Sequence, residues 1–172
     1  NSRRIYYETF VTRPDRSTFH VGSANYDFTD ETDSAPSGSR DVIFYKLNEA
    51  GVPVLRGRFG TSDLDYGYGI AVDADENVYI VGRTNGAFAG FTNQGGGDGF
   101  LAKFAPGETE TPLWLVQFGG AGTDYYPGIE LRDGRVYIAG DSTEPMDGEP
   151  TSGGWDMYVL SFTTDGTDQQ MF

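Results

Sequence analysis

An all-β fold of three tandem, four-stranded antiparallel units is what this sequence predicts, and three observations carry the prediction. The first is a repeat. The line GIAVDADENVYIVGRT at 69–84 returns as GIELRDGRVYIAGDST at 128–143, and TFVTRPDRSTFHVGSA at 9–24 lies over the first of these without gaps. Phe19, Tyr79 and Tyr137 then coincide, as do Gly22, Gly82 and Gly140, at spacings of 60 and 58 residues. The second is the length of the apolar runs: four to seven residues before a turn signal, with no helical period. The third is composition, since 25 Gly and 8 Pro favour turns over helix interiors and aromatic residues reach 15%.

Each unit contains four strand-like runs. In the second copy they are YGYGIAV, NVYIVGR, GFLAKFA and PLWLVQF, rich in β-branched and aromatic residues. The second run is apolar on both parities, Val78 and Ile80 on one face, Tyr79 and Val81 on the other, so that strand is expected to lie inside stacked sheets. The third run recurs as DVIFYKL, DGFLAKF and DMYVLSF, with Asp41, Asp98 and Asp156 in register; each Asp is expected to accept backbone N–H groups as its strand begins. The fourth recurs as VPVLRGRFG and PLWLVQFGG, but the last copy reads TDQQMF, so its fourth strand is expected to break off. The chain thus divides into repeats at about 5–60, 61–120 and 121–172 within one segment, 1–172. Head-to-tail four-stranded units fit the blades of a β-propeller, with a β-solenoid the weaker rival.

Propellers typically close with about four to eight blades. Three are expected to form a segment of a longer propeller, a ring completed by a second copy, or a stack against another subunit. The opening NSRRIYYETF, with neither an initiator Met nor an apolar signal core, reads as processed or cut from a longer chain.

With 172 residues, 37% of them hydrophobic, the chain can bury a real core. A net charge of −14 repels phosphate backbones and anionic lipid, which argues against nucleic-acid partners. No run approaches the ~20 apolar residues of a spanning helix, so no membrane insertion is expected. The absence of cysteine excludes disulfides, thiolate catalysis and Cys-ligated zinc from this chain.

The text GTSDLDYGYGIAVDADENVYIVGRTN, GGGDGFLAKFAPG and LWLVQFGGAGTDYYPGI resembles the bacterial seven-bladed β-propeller repeat known as the SBBP repeat. Copy two matches all of its parts; copy three matches at TDYYPGI, GRVYIAGDS and LSF; copy one keeps the hydrophobic frame and DVIFYKLNEAG. The resemblance implies a secreted, cell-surface or periplasmic bacterial protein in which the repeats serve as a non-catalytic binding or assembly scaffold, with a protein partner or self-assembly. A lectin-like propeller or the non-catalytic part of a secreted hydrolase are the alternatives, because one fold hosts many functions.

Candidate sites are few. Asp73, Asp75 and Asn77 have the D-x-D-x-N spacing that opens a calcium loop, but Val78 stands where that loop needs Gly and Thr84 where it needs a bidentate Glu. The sister copies read RPDRS and RDGR, which favours a hairpin turn held by Asp and Asn side chains. Calcium through Asp73, Asp75 and Asn77 is the one cofactor reading; none is otherwise expected. His20, the only histidine, replaces Ile80 and Ile138 and is expected in the core or lining a channel. It meets no G-x-S-x-G elbow, and the acidic residues show no paired-carboxylate signature, so no catalytic residue is assigned.

The loops between second and third strands, 23–40, 83–97 and 141–155, fall on one rim by repeat geometry, the usual place for a binding surface in such arrays. The candidate partner-binding residues on that rim are Asp27, Asp30, Asp33, Phe88, Phe91, Glu144, Asp147 and Trp155, the alternative being aromatics tucked under the loops and acids in solvent. Trp114, in an outer strand, is expected to pack on the neighbouring blade.

Overall fold

A computed structural model of the chain describes residues 4–25, 40–144 and 153–172. Twelve strands form three antiparallel sheets, with no helix among the described residues. Blade 1 is β1 (Ile5–Thr12), β2 (Thr18–Ala24), β3 (Asp41–Leu47) and β4 (Pro53–Phe59). Blade 2 is β5 (Asp65–Val72), β6 (Val78–Thr84), β7 (Asp98–Phe104) and β8 (Trp114–Phe118). Blade 3 is β9 (Asp124–Arg132), β10 (Arg135–Ser142), β11 (Asp156–Thr163) and β12 (Gln170–Met171). In each sheet the strands lie in chain order, as hairpin-connected meanders require. The fourth strand of blade 3 is cut short, as expected, to two residues that still pair: Met171 with Leu160 and Gln170 with Ser161.

The blades stack face to face. Because side chains alternate across a strand, every blade has two faces. The face formed by Phe19, Val21, Val42 and Phe44 in blade 1 packs on Ile70, Val78, Ile80, Phe100 and Ala102 of blade 2. The equivalent face of blade 2, with Tyr79, Val81 and Leu101, packs on Tyr126, Val136, Ile138, Tyr158 and Leu160 of blade 3. β6 is therefore buried on both sides, which is why both of its parities are apolar. We call the face turned toward the next blade trailing and the other leading. The first strands β1, β5 and β9 lie side by side along an open groove of about 480 Å³, lined by Phe10, Ile70, Pro127 and Glu130 among others. The sheets do not close into a ring.

The repeated glycine has a structural cause. Each first strand carries a β-bulge, between Tyr7 and Thr9, Gly67 and Gly69, or around Ala139/Asp141 in the β9–β10 pairing. A β-carbon at Gly82 would overlap the Tyr66 carbonyl oxygen and stand 2.6 Å from the Phe100 ring; at Gly140 it would overlap the Tyr125 carbonyl oxygen. The bulge brings the first strand too close for any side chain there.

His20 does not lie in the core. It sits half-buried on the leading face of blade 1, which no other blade covers, stacked between Phe10 at 5.3 Å and Tyr45 at 4.6 Å, with Thr18 Oγ1 and His20 Nε2 2.8 Å apart. Ile80 and Ile138 are fully buried at the same register because a blade packs over each of them. Nor does it line the central groove, since β2 is the second strand. Trp114 packs on blade 3 as expected: its ring meets Tyr79 edge-on and its Nε1 donates to the Thr164 carbonyl at 3.3 Å.

Candidate functional site

The DADEN stretch is the β5–β6 turn. Asp73 Oδ1 accepts from the Asp75 and Asn77 backbone N–H groups at 3.0 and 2.9 Å, and Asp73 Oδ2 accepts from Asn77 Nδ2 at 2.8 Å and the Tyr79 hydroxyl at 3.2 Å. Glu76, in the left-handed region at φ 64°, ion-pairs with Lys46 of blade 1 at 2.9 Å. Arg13 of blade 1 donates to the Asp73 carbonyl at 2.7 Å. Both carboxylate oxygens of Asp73 are thus used inside the turn and the turn is tied to the blade behind it. Among the described residues no group of three or more His, Cys, Asp or Glu is arranged to hold a metal ion. Millimolar calcium is accordingly expected to leave the thermal midpoint unchanged in a fluorescence melt; a rise that disappears in Asp73→Ala would restore the calcium-loop reading.

The seams between blades carry buried acids. Asp41 and Asp65 flank Gly60, and Asp98 and Asp124 flank Gly119, so the glycine leaving each outer strand wedges between two carboxylates from successive blades. Asp98 accepts from the Gln94 N–H and from Gln117 Nε2, which fits the expected strand-start role; Asp41 is instead gripped by Arg58 Nε at 2.6 Å. Asp65 accepts from Thr61 N–H at 2.6 Å and from the Thr61 hydroxyl, yet burial, reinforced by Asp41, pushes its pKa up to about 6. Burial likewise raises Asp124. These acids are sealed from solvent.

Of the rim residues named from sequence, Asp27, Asp30, Asp33 and Asp147 lie outside the described residues. Phe88 is half-buried and packs against the hydrophobic core, with Phe100 at 5.4 Å and Phe59 at 6.2 Å and its N–H donated to Gln117 Oε1. Phe91, Glu144 and Trp155 are exposed, Trp155 at 57%.

A different set runs across that rim. Tyr6, Tyr66 and Tyr125 occupy one register position, opposite Ser23, Arg83 and Asp141. The Arg40 guanidinium is sandwiched between Tyr6 at 4.1 Å and Tyr66 at 4.9 Å. Tyr66 stacks on Tyr68 at 6.0 Å, and Tyr68 meets Tyr125 edge-on at 4.5 Å. Arg83, its Nη2 donating to the Gly96 carbonyl at 2.8 Å, fills the space left by Gly97 beside them. Cation–π contacts and aromatic pairs thus link all three blades in one continuous line at the mouth of the central groove. The signal was in the sequence as a tyrosine recurring once per copy, but within a strand it reads as ordinary β propensity.

Fold and rim together define a repeat protein built of β-propeller blades. Residues 56–89, from β4 through β6, match the family model SBBP, described as a beta-propeller repeat, so the resemblance seen in copy two holds. The chain is also similar to a protein named Regulatory protein FlaEY from Caulobacter vibrioides, 27% identical over 175 residues; the match covers 92% of this chain and 18% of that protein. The chain therefore spans less than a fifth of that relative's length.

Proposed function

We propose that the chain is a non-catalytic protein-binding scaffold, acting in an extracellular, cell-surface or periplasmic setting, and that the rim from Tyr6 to Tyr125 is its recognition surface. The observation that carries this reading is the unbroken Tyr6–Arg40–Tyr66–Tyr68–Tyr125 line, fixed by three rigid blades and reaching the exposed Tyr125. Tyr, Trp and Arg dominate binding hot spots because they bury large area at small entropic cost. Pre-stacked rings have lost that entropy already. Asp141, beside Tyr125, and Glu144 give the surface an acidic border that selects against acidic partners. A relative named as a regulatory protein is in keeping with recognition rather than turnover.

A photo-crosslinking amino acid at position 125, in the producing organism, is expected to yield a discrete protein adduct that Arg40→Ala together with Tyr66→Ala abolishes. The same label at Val54, exposed on the outer strand β4, should give none. Equal labelling at the two positions would sink the proposal. Glycan-array binding that is lost with Trp155→Ala would replace it with the lectin-like alternative.

A further inference from the structure

We propose that the trailing face of blade 3 is a docking surface for one more blade of this repeat type, and specifically for a blade with glycine at the position of Gly67. This face meets the rim at Asp141 and Tyr125, but the inference does not depend on the rim's function.

The two existing seams show a size rule. At the first, Val42 of β3 lies over Gly67 of β5: a β-carbon on Gly67 would stand 2.6 Å from Val21 and 2.8 Å from Val42. At the second the sizes are exchanged. Gly99 of β7, at the register of Val42, receives the buried ring of Tyr126, at the register of Gly67; a β-carbon on Gly99 would stand 2.7 Å from that ring and 2.5 Å from Phe118. One large and one small residue meet at each seam, as close packing requires. The corresponding residue of blade 3 is Met157, which is 81% exposed. It borders an apolar groove of about 430 Å³ with Ala139, Gly140 and Trp155. Its equivalents Val42 and Gly99 are buried in the seams already formed. By the same rule, a large Met157 calls for a small partner.

A second copy of this chain does not supply one. The residue of blade 1 at the Gly67 register is Tyr7, opposite Gly22 as Gly67 is opposite Gly82. The leading face of blade 1 also carries the row Phe10, His20, Tyr45 and Arg56, where blade 2 presents Ile70, Ile80, Ala102 and Leu115. Four aliphatic side chains there give way to two rings, an imidazole and a guanidinium, so that row does not reproduce the surface that fills the first seam.

The test extends the whole chain in register. Phe172 pairs with Val159 as Gly57 pairs with Phe44 and Val116 with Leu101. Residues 58–118 appended after Phe172 therefore add a blade with glycine at the critical position, and residues 117–171 add one with tyrosine. Peroxide oxidation of Met157, followed by peptide mass mapping, reads coverage directly. The 58–118 extension is expected to slow it at least tenfold relative to the unextended chain, and the 117–171 extension to leave it nearly unchanged. Met157→Gly should lower the thermal midpoint of the first extended chain and raise that of the second. Equal protection by both extensions, protection by neither, or a Met157→Gly shift of the same sign in both would overturn the proposal. So would concentration-dependent protection of Met157 in the unextended chain, which would make a second copy the occupant.

Discussion

Gly82→Ala is expected to destabilise the chain by about 3 kcal/mol, the upper end of the cost of overpacking. The added β-carbon would overlap a backbone carbonyl oxygen, that of Tyr66, and press on Phe100. A side chain can rotate away from such a clash; a carbonyl in a paired strand has to move the strand, and β5 is held between two blades. For a domain of this size the change corresponds to a fall in midpoint of roughly 6–12 °C. Gly107→Ala is the control: at φ 79° with nothing within 4 Å of the added carbon, it pays only the left-handed backbone cost of about 1 kcal/mol. A Gly82→Ala midpoint no lower than that of Gly107→Ala would mean that β5 and β6 do not approach as described.

Mild acidification from pH 7.5 to about 4.5 is expected to stabilise the fold, and Asp65 is the main cause. Its pKa is about 6 in the folded chain because burial penalises the carboxylate, against about 3.9 when unfolded. Its contribution is therefore fully present below the unfolded value and is lost as pH rises through about 6. The shift corresponds to a difference on the order of 3 kcal/mol. Asp124, raised by burial, acts in the same sense. His20 opposes both: burial lowers its pKa, so its contribution is present above about 6.5 and is lost as pH falls through the folded value. Asp15, Glu108 and Asp165, whose pKa values are lowered mainly by hydrogen bonds, lose their contributions at still lower pH. The expected profile thus rises below neutrality and turns over in stronger acid. Asp65→Asn should raise the midpoint at pH 7.5 and flatten the rise; an unaltered profile in that variant would assign the effect to the net charge of −14 instead.

The features legible in the sequence were those that each copy writes for itself. The strands of blade 2 fall where YGYGIAV, NVYIVGR, GFLAKFA and PLWLVQF place them, because pattern and propensity act within a few residues. The two-sided burial of β6 follows from its apolar parities. Features that depend on a neighbouring blade were hidden. Nothing local distinguishes His20, half-buried on an uncovered face, from Ile80 beneath a blade. Phe88 lies in a polar loop, yet its ring fills space between Phe59 of one blade and Phe100 of the next. TDQQMF has no strand-like alternation, but two residues suffice to pair once β11 presents an edge. The rim tyrosines became a line only because the bulges, Arg40 and the stacking of the blades bring three distant strands together.

The most direct test of the stacked-blade account is a double-mutant cycle across the second seam, read from urea unfolding. Gly99→Val alone drives a side chain into Tyr126 and Phe118, and Tyr126→Gly alone empties a fully buried ring position, so each should be strongly destabilising. Together they rebuild the valine-over-glycine arrangement of Val42 and Gly67. The account predicts that the double variant recovers about 2 kcal/mol or more relative to the sum of the single losses; losses that add to within about 0.5 kcal/mol would show that the two residues do not share a seam, and would contradict it.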